Sequence, residues 1–216
     1  MDIINNFENI KKEIFLLNSK CRLIVVTKNR TLLDISDLLK VCHQDFGENR
    51  VQEAEGKWSE IVSQSTNIRL HLLGTLQSNK VKKAHELFHY IHTLDNEKLA
   101  DSFSIIESNS LRKLKYFIQV NIGNEIQKSG IGINELVSFA NYCKNELKLN
   151  ILGLMCIPPV DKDPDEYFSE LRNLNIKNGF NDLSIGMSSD YEKAIKYDST
   201  FVRVGSSIFK ENSNLF

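Results

Sequence analysis

The chain has 216 residues, enough to bury a substantial core within one large domain. Its 41% hydrophobic and 25% charged residues are ordinary for a globular protein, and a net charge of −1 leaves no global field to recruit nucleic acid or an anionic lipid surface. No stretch approaches the roughly 18 uninterrupted apolar residues of a membrane span. Cys21, Cys42, Cys143 and Cys156 lack disulfide-framework or zinc spacing, so buried free thiols in a cytoplasmic protein are expected.

Residues 1–17 carry Ile3, Phe7, Ile10, Ile14 and Leu17 at helical spacing among charges, which predicts an amphipathic helix rather than a signal peptide. Short apolar runs then predict strands at 23–27, 43–47, 70–74, 91–94, 116–122, 151–157, 183–185 and 201–204. Helical periodicity lies between them at 32–42, 49–63, 78–88, 96–108, 133–147, 164–173 and 190–197. This alternation implies parallel strands joined by right-handed crossovers, and points to a single (β/α)₈ barrel over residues 1–216, with a doubly wound open sheet as the alternative. The polar tail from Lys210 onward is expected to fray.

In such a barrel the chemistry sits where the strands end. The first strand ends in Thr27-Lys28, an amine beside a buried run; taken alone it reads as a strand-end lysine reaching into solvent, and the other reading is a desolvated amine freed for imine formation. The second strand runs into Gly47-Glu48-Asn49. The seventh and eighth run into Gly186-Met187-Ser188-Ser189 and Gly205-Ser206-Ser207, turns in which small residues let backbone amides approach a phosphate. Barrel closure would set these turns beside Lys28. Arg203, between Val202 and Val204, has the parity of a barrel-facing residue. His71, His85, His89 and His92 read as structural because no acidic partner is evident, and Glu48, Glu53 and Glu55 read as a solvated helix start.

With these residues in place the chain resembles the pyridoxal phosphate homeostasis protein family, related to the N-terminal barrel of alanine racemases. The signature segments are Val-Val-Thr-Lys28, Phe46-Gly-Glu-Asn49, His71-Leu-Leu-Gly74-Thr-Leu-Gln-Ser-Asn-Lys80, Gln119-Val-Asn-Ile122 with Lys128-Ser-Gly130, Gly153-Leu-Met155, Leu183-Ser-Ile-Gly-Met-Ser188 and Val202-Arg-Val-Gly-Ser206. The resemblance implies pyridoxal 5′-phosphate held by Lys28 as a Schiff base. Ser188, Gly205 and Ser206 would take its phosphate, Arg203 would lie at the pyridine nitrogen, and Asn49 would stand on the imine side. Departures from the family pattern at Thr31 and Arg50 are expected to line the entrance.

The resemblance also implies a monomeric, non-catalytic carrier in vitamin B6 homeostasis that hands its cofactor to PLP-dependent apoenzymes. The alternative is a PLP-dependent amino-acid racemase on the same barrel. Two-base racemisation needs a second acid/base group opposite Lys28, and the expected placements of Tyr116, Tyr142 and Tyr191 do not offer one.

Overall fold

The protein, as a computed structural model, is described over residues 3–210. Eight strands close into an all-parallel barrel: β1 Arg22–Val26, β2 Asp45–Glu48, β3 Arg69–Leu72, β4 Tyr90–Leu94, β5 Lys115–Gln119, β6 Ile151–Met155, β7 Asp182–Met187 and β8 Phe201–Val204. The helices are α1 Ile3–Leu17 before the barrel, then α2 Leu32–Lys40, α3 Val51–Gln64, α4 Val81–Leu87, α5 Glu97–Ser108, α6 Leu136–Asn141, α7 Pro164–Lys177, α8 Tyr191–Lys196 and α9 Ser206–Phe209. The pairing of β1 with β8, Ile24 opposite Arg203 and Val25 opposite Val204, excludes the open sheet. The first two residues of the expected N-terminal helix and the tail beyond Lys210 lie outside the described residues.

Helices cover the outer face of the strands, so period-two alternation sorts each strand between a helix-facing core and the barrel interior. On β1, Leu23 and Val25 pack in the outer core. Ile24 joins Tyr90, Phe117, Met155 and Phe201 inside the barrel. The helices dock through apolar stripes, as in α1, where Phe7, Ile10 and Ile14 are buried at helical spacing. Local signals fix their starts: Thr31 and Asp34 cap α2 reciprocally, Asn96 accepts from the Leu99 amide at α5, and Asp163-Pro164 opens α7.

Two elements depart from expectation. The fifth strand stops at Gln119 rather than running to 122, because Asn121 donates to the Ile131 carbonyl and the chain between them loops over the mouth. The helix expected over 133–147 forms in three pieces: a 3₁₀ turn at Ile133–Glu135, α6, and a wide π-type turn at Tyr142–Glu146. In the wide turn the Leu147 amide donates to Tyr142 O at 3.0 Å, and Ser104 Oγ on α5 donates to Leu147 O at 3.2 Å, satisfying a carbonyl at the end of the helix.

Cys42 corrects the thiol expectation. It is exposed where the chain turns after α2, with φ 57°, whereas Cys21, Cys143 and Cys156 are buried and free. Burial pushes those three thiols up to about 12, which keeps them unreactive.

Candidate functional site

The C-terminal mouth of the barrel collects the residues singled out by sequence. The β1 ladder continues through Thr27, whose amide donates to Gly47 O at 2.9 Å, and Lys28 follows directly. Lys28 is exposed, a strand-end lysine reaching into solvent rather than a desolvated amine. The reason is local: Arg30 N donates to Thr27 O at 3.1 Å, Asn29 adopts φ 58°, and this tight turn lifts Lys28 out of the buried strand.

Both flanks of Lys28 are clamped by residues whose role the sequence reading missed. Glu48 is fully buried on β2, not part of a solvated helix start. Its Oε1 accepts from Thr27 Oγ1 at 2.6 Å, Trp58 Nε1 at 2.8 Å and Lys57 Nζ at 2.9 Å. Lys57 also donates to Thr27 O at 2.6 Å, and Glu53 accepts from the Asn29 amide at 2.5 Å. A buried carboxylate oxygen and ammonium paired in this way hold the backbone on either side of Lys28, while Glu48 Oε2 is buried without a hydrogen-bond partner. Thr31, expected at the entrance, is instead the cap of α2.

Across the closure, the turns after β7 and β8 are stitched together by Ser188. Its Oγ accepts from the Gly205 amide at 3.2 Å and the Ser207 amide at 3.4 Å. A Cβ added at Gly205 would lie 3.0 Å from Val26 O, so the β8 turn packs closely against the end of β1. Ser206 is exposed at the start of α9. Ser188, Gly205, Ser206, Lys28 and Asn49 therefore follow one another around the ends of β7, β8, β1 and β2, four neighbouring strands.

Arg203 lies inside the barrel, as its alternation with Val202 and Val204 predicts, and it is buried. Nη1 donates to Ser184 O at 2.5 Å and Ser184 Oγ at 2.8 Å, and Nη2 donates to Cys156 O at 3.0 Å. These three bonds leave the Nε–H and one Nη2 hydrogen free for a ligand. Among the described residues no carboxylate bonds it; burial pulls the guanidinium below its ordinary pKa, opposed by Cys156 and Asp190.

Behind Arg203 runs a chain of interior polar groups. His92 Nδ1 lies 2.8 Å from Ser184 Oγ, His92 Nε2 lies 3.0 Å from His71 Nδ1, and His71 Nε2 lies 2.9 Å from Asp45 Oδ1. Asp45 is the acidic partner that the sequence reading did not find for His71. Burial would raise its carboxyl, but hydrogen bonds from Arg69 and His71 outweigh that and hold it well below the usual carboxylate range. Burial drives both histidines below their ordinary value, His92 strongly; the Arg203 guanidinium adds to the effect at His92, and the Asp45 carboxylate opposes it at His71. His85 and His89 stay outside this chain, His85 bonding Arg112 O and His89 the Leu70 amide.

Asn49 and Arg50 border a cavity of about 490 Å³ at the mouth, lined also by Thr75, Gln119, Asn121 and Lys128. Its lining holds two cations and no carboxylate. The cradle of hydroxyls and amides, an exposed amine and a buried cation with free donors suits a phosphorylated, electrophilic ring compound.

The family model for the alanine racemase N-terminal domain matches residues 2–213. The pyridoxal phosphate homeostasis protein of Haemophilus influenzae is 35% identical, over 87% of this chain and 84% of its own; that of Escherichia coli is 31% identical over 96% of each. Among solved structures, PipY of Synechococcus elongatus with PLP bound superposes with a TM-score of 0.83 at 31% identity, covering 93% of this chain and 100% of that one. An alanine racemase of Clostridium difficile shares the fold at a TM-score of 0.75 and 14% identity, with 57% of its length covered. A racemase-type barrel closed around this mouth, and relatives that match it over most of their length, assign the chain to the pyridoxal phosphate homeostasis protein family within the alanine racemase N-terminal domain fold.

Proposed function

We propose that this protein binds pyridoxal 5′-phosphate at the mouth of its single barrel domain, covalently through Lys28 Nζ, and serves as a non-catalytic carrier in intracellular PLP homeostasis. The observation that carries this reading is the ordering of Ser188, Gly205, Ser206, Lys28 and Asn49 on four consecutive strand ends, with Arg203 buried inside beneath them. PLP bound to PipY, a relative at 31% identity, and the homeostasis role for which the bacterial relatives are named support it.

When bound, the cofactor supplies an aldehyde carbon that exchanges reversibly between amines. Lys28 provides the anchoring amine from a turn that Glu48, Lys57 and Glu53 hold in place. Ser188 and Ser206 present hydroxyls to the phosphate, and Gly205, without a side chain, lets the backbone between them approach it. Asn49 stands on the imine side, at the head of the open cavity.

Arg203 offers its free donors to the ring nitrogen. A permanent cation there keeps that nitrogen unprotonated, weakening the ring as an electron sink, which suits storage rather than turnover. The exposure of Lys28 suits exchange with the amines of PLP-dependent apoenzymes. The tyrosines that a racemase reading would need are engaged elsewhere: Tyr116 donates to Glu107, Tyr142 to Asp101 and Tyr191 to Glu13.

The test is titration of the purified monomer with pyridoxal 5′-phosphate for wild type and Arg203→Gln. Arg203→Gln is expected to weaken binding about tenfold, the effect of losing one charged hydrogen bond. Equal affinity would contradict the ring-nitrogen assignment.

A further inference from the structure

The path from Asp45 to Arg203 has a direction set by its two ends. An arginine can only donate and a carboxylate can only accept, and with both imidazoles neutral, as their complete burial favours, the groups between them pass a hydrogen bond one way. Arg203 Nη1 donates to Ser184 Oγ, leaving the Ser184 hydroxyl to donate to His92 Nδ1. His92 Nε2–H then donates to His71 Nδ1, and His71 Nε2–H donates to Asp45. Both neutral imidazoles are then Nε2–H tautomers.

Stacking fixes their planes. His71 lies on Tyr90 with centroids 4.3 Å apart and 13° between planes, and His92 lies on Phe117 at 4.5 Å and 20°. Asp45 is anchored in turn by Arg22 at 2.5 Å and by Arg69 through two bonds of 2.8 Å. The chain thus spans β2, β3, β4, β7 and β8, and it ends on the one buried guanidinium that faces the proposed cofactor.

We propose that His71 and His92 are positioning residues for the cofactor: through Ser184 they fix the lone pair that receives Arg203 Nη1 and so aim the guanidinium's free donors at the ring nitrogen. This rests on the function proposed above. His92 and Ser184 never touch the ligand; they act through Arg203 alone. Loss of His92 leaves the Ser184 hydroxyl without its acceptor, free to compete for Ser184 O or turn from Arg203.

The test combines His92→Phe, Ser184→Ala and His92→Gln with wild-type and Arg203→Gln backgrounds. The readouts are the dissociation constant for pyridoxal 5′-phosphate and the absorption maximum of the bound form. Thermal midpoints of the cofactor-free variants report folding separately, and Ser184→Ala, a small change, serves should His92→Phe not fold. In the wild-type background His92→Phe and Ser184→Ala each weaken binding about tenfold and move the absorption maximum.

His92→Gln, which keeps an acceptor toward Ser184 and a donor toward His71, restores both readouts. In the Arg203→Gln background none of the three has a further effect. Lower midpoints with unchanged affinity and absorption, or equal losses in both backgrounds, overturn the inference. Nitrogen-15 spectra of the cofactor-free wild type test the chain independently: both histidines appear as Nε2–H tautomers, and an Nδ1–H signal from either overturns it. Failure of the wild type to bind pyridoxal 5′-phosphate, with those tautomers confirmed, instead removes the parent reading of the site.

Discussion

At the scale of single residues, the difference between Arg203 and Glu48 shows what alternation reveals. Arg203 sits between two valines in an apolar run, so its parity reports its direction without any partner being known. Glu48 lies at a strand end just before a helix, where an acidic residue ordinarily means a solvated first turn. Its burial depends on Thr27, Lys57 and Trp58, which only the folded barrel brings together. Asp45 was hidden for a similar reason, 26 residues from His71 in the chain. The available signal was its parity with Asn49: 45, 47 and 49 all point inward if Asn49 faces the mouth. Glu48→Ala leaves the buried Lys57 ammonium with the Thr27 carbonyl and the Glu53 carboxylate alone, and is expected to cost about 3–5 kcal/mol in urea denaturation. An unchanged midpoint would show that the clamp on Lys28 does not stabilise the fold.

At the scale of elements, the eight strands and most of the intervening helices were legible because short strand-like segments alternate with helical periodicity, even where, as in β2, the strand holds one large apolar side chain, Phe46. The broken helix before β6 was not, since its wide turn at Tyr142–Glu146 answers to Ser104 on α5, a tertiary partner outside the local pattern. Close packing between strands was equally invisible. A Cβ at Gly153 would lie 1.6 Å from Asp182 O, backbone that cannot swing away, so Gly153→Ala must part β6 from β7. It is expected to destabilise by about 3 kcal/mol or more. Gly56→Ala on α3, where a Cβ meets nothing within 4 Å, is expected to stabilise by about 0.4–1 kcal/mol. Similar effects of the two substitutions on the thermal midpoint would contradict this packing.

Across the whole molecule, buried neutral histidines couple stability to pH. His71 and His92 are lowered by burial, as are His43 and His89, both to about 4. Below pH about 6.5 the unfolded chain binds these protons and the folded barrel does not. Stability therefore falls as pH drops, by at most about 1.4 kcal/mol per pH unit for each fully buried histidine, until its folded pKa is reached. Asp45, with its lowered pKa, adds stability that is present above about pH 4 and lost as pH falls through its folded value. Denaturation midpoints that stay flat between pH 7 and 5 would contradict this.

The same molecule places an exposed amine, exposed and half-buried serine hydroxyls and a buried cation at the ends of neighbouring strands, where the proposed function has Lys28 anchor pyridoxal 5′-phosphate. The direct measurement is the visible spectrum of wild type and Lys28→Ala with pyridoxal 5′-phosphate, followed by borohydride reduction and peptide mass mapping. An imine band in wild type alone, with the reduced adduct on Lys28, is the predicted result. The same band in both proteins, or an adduct mapped to another lysine, would contradict the account.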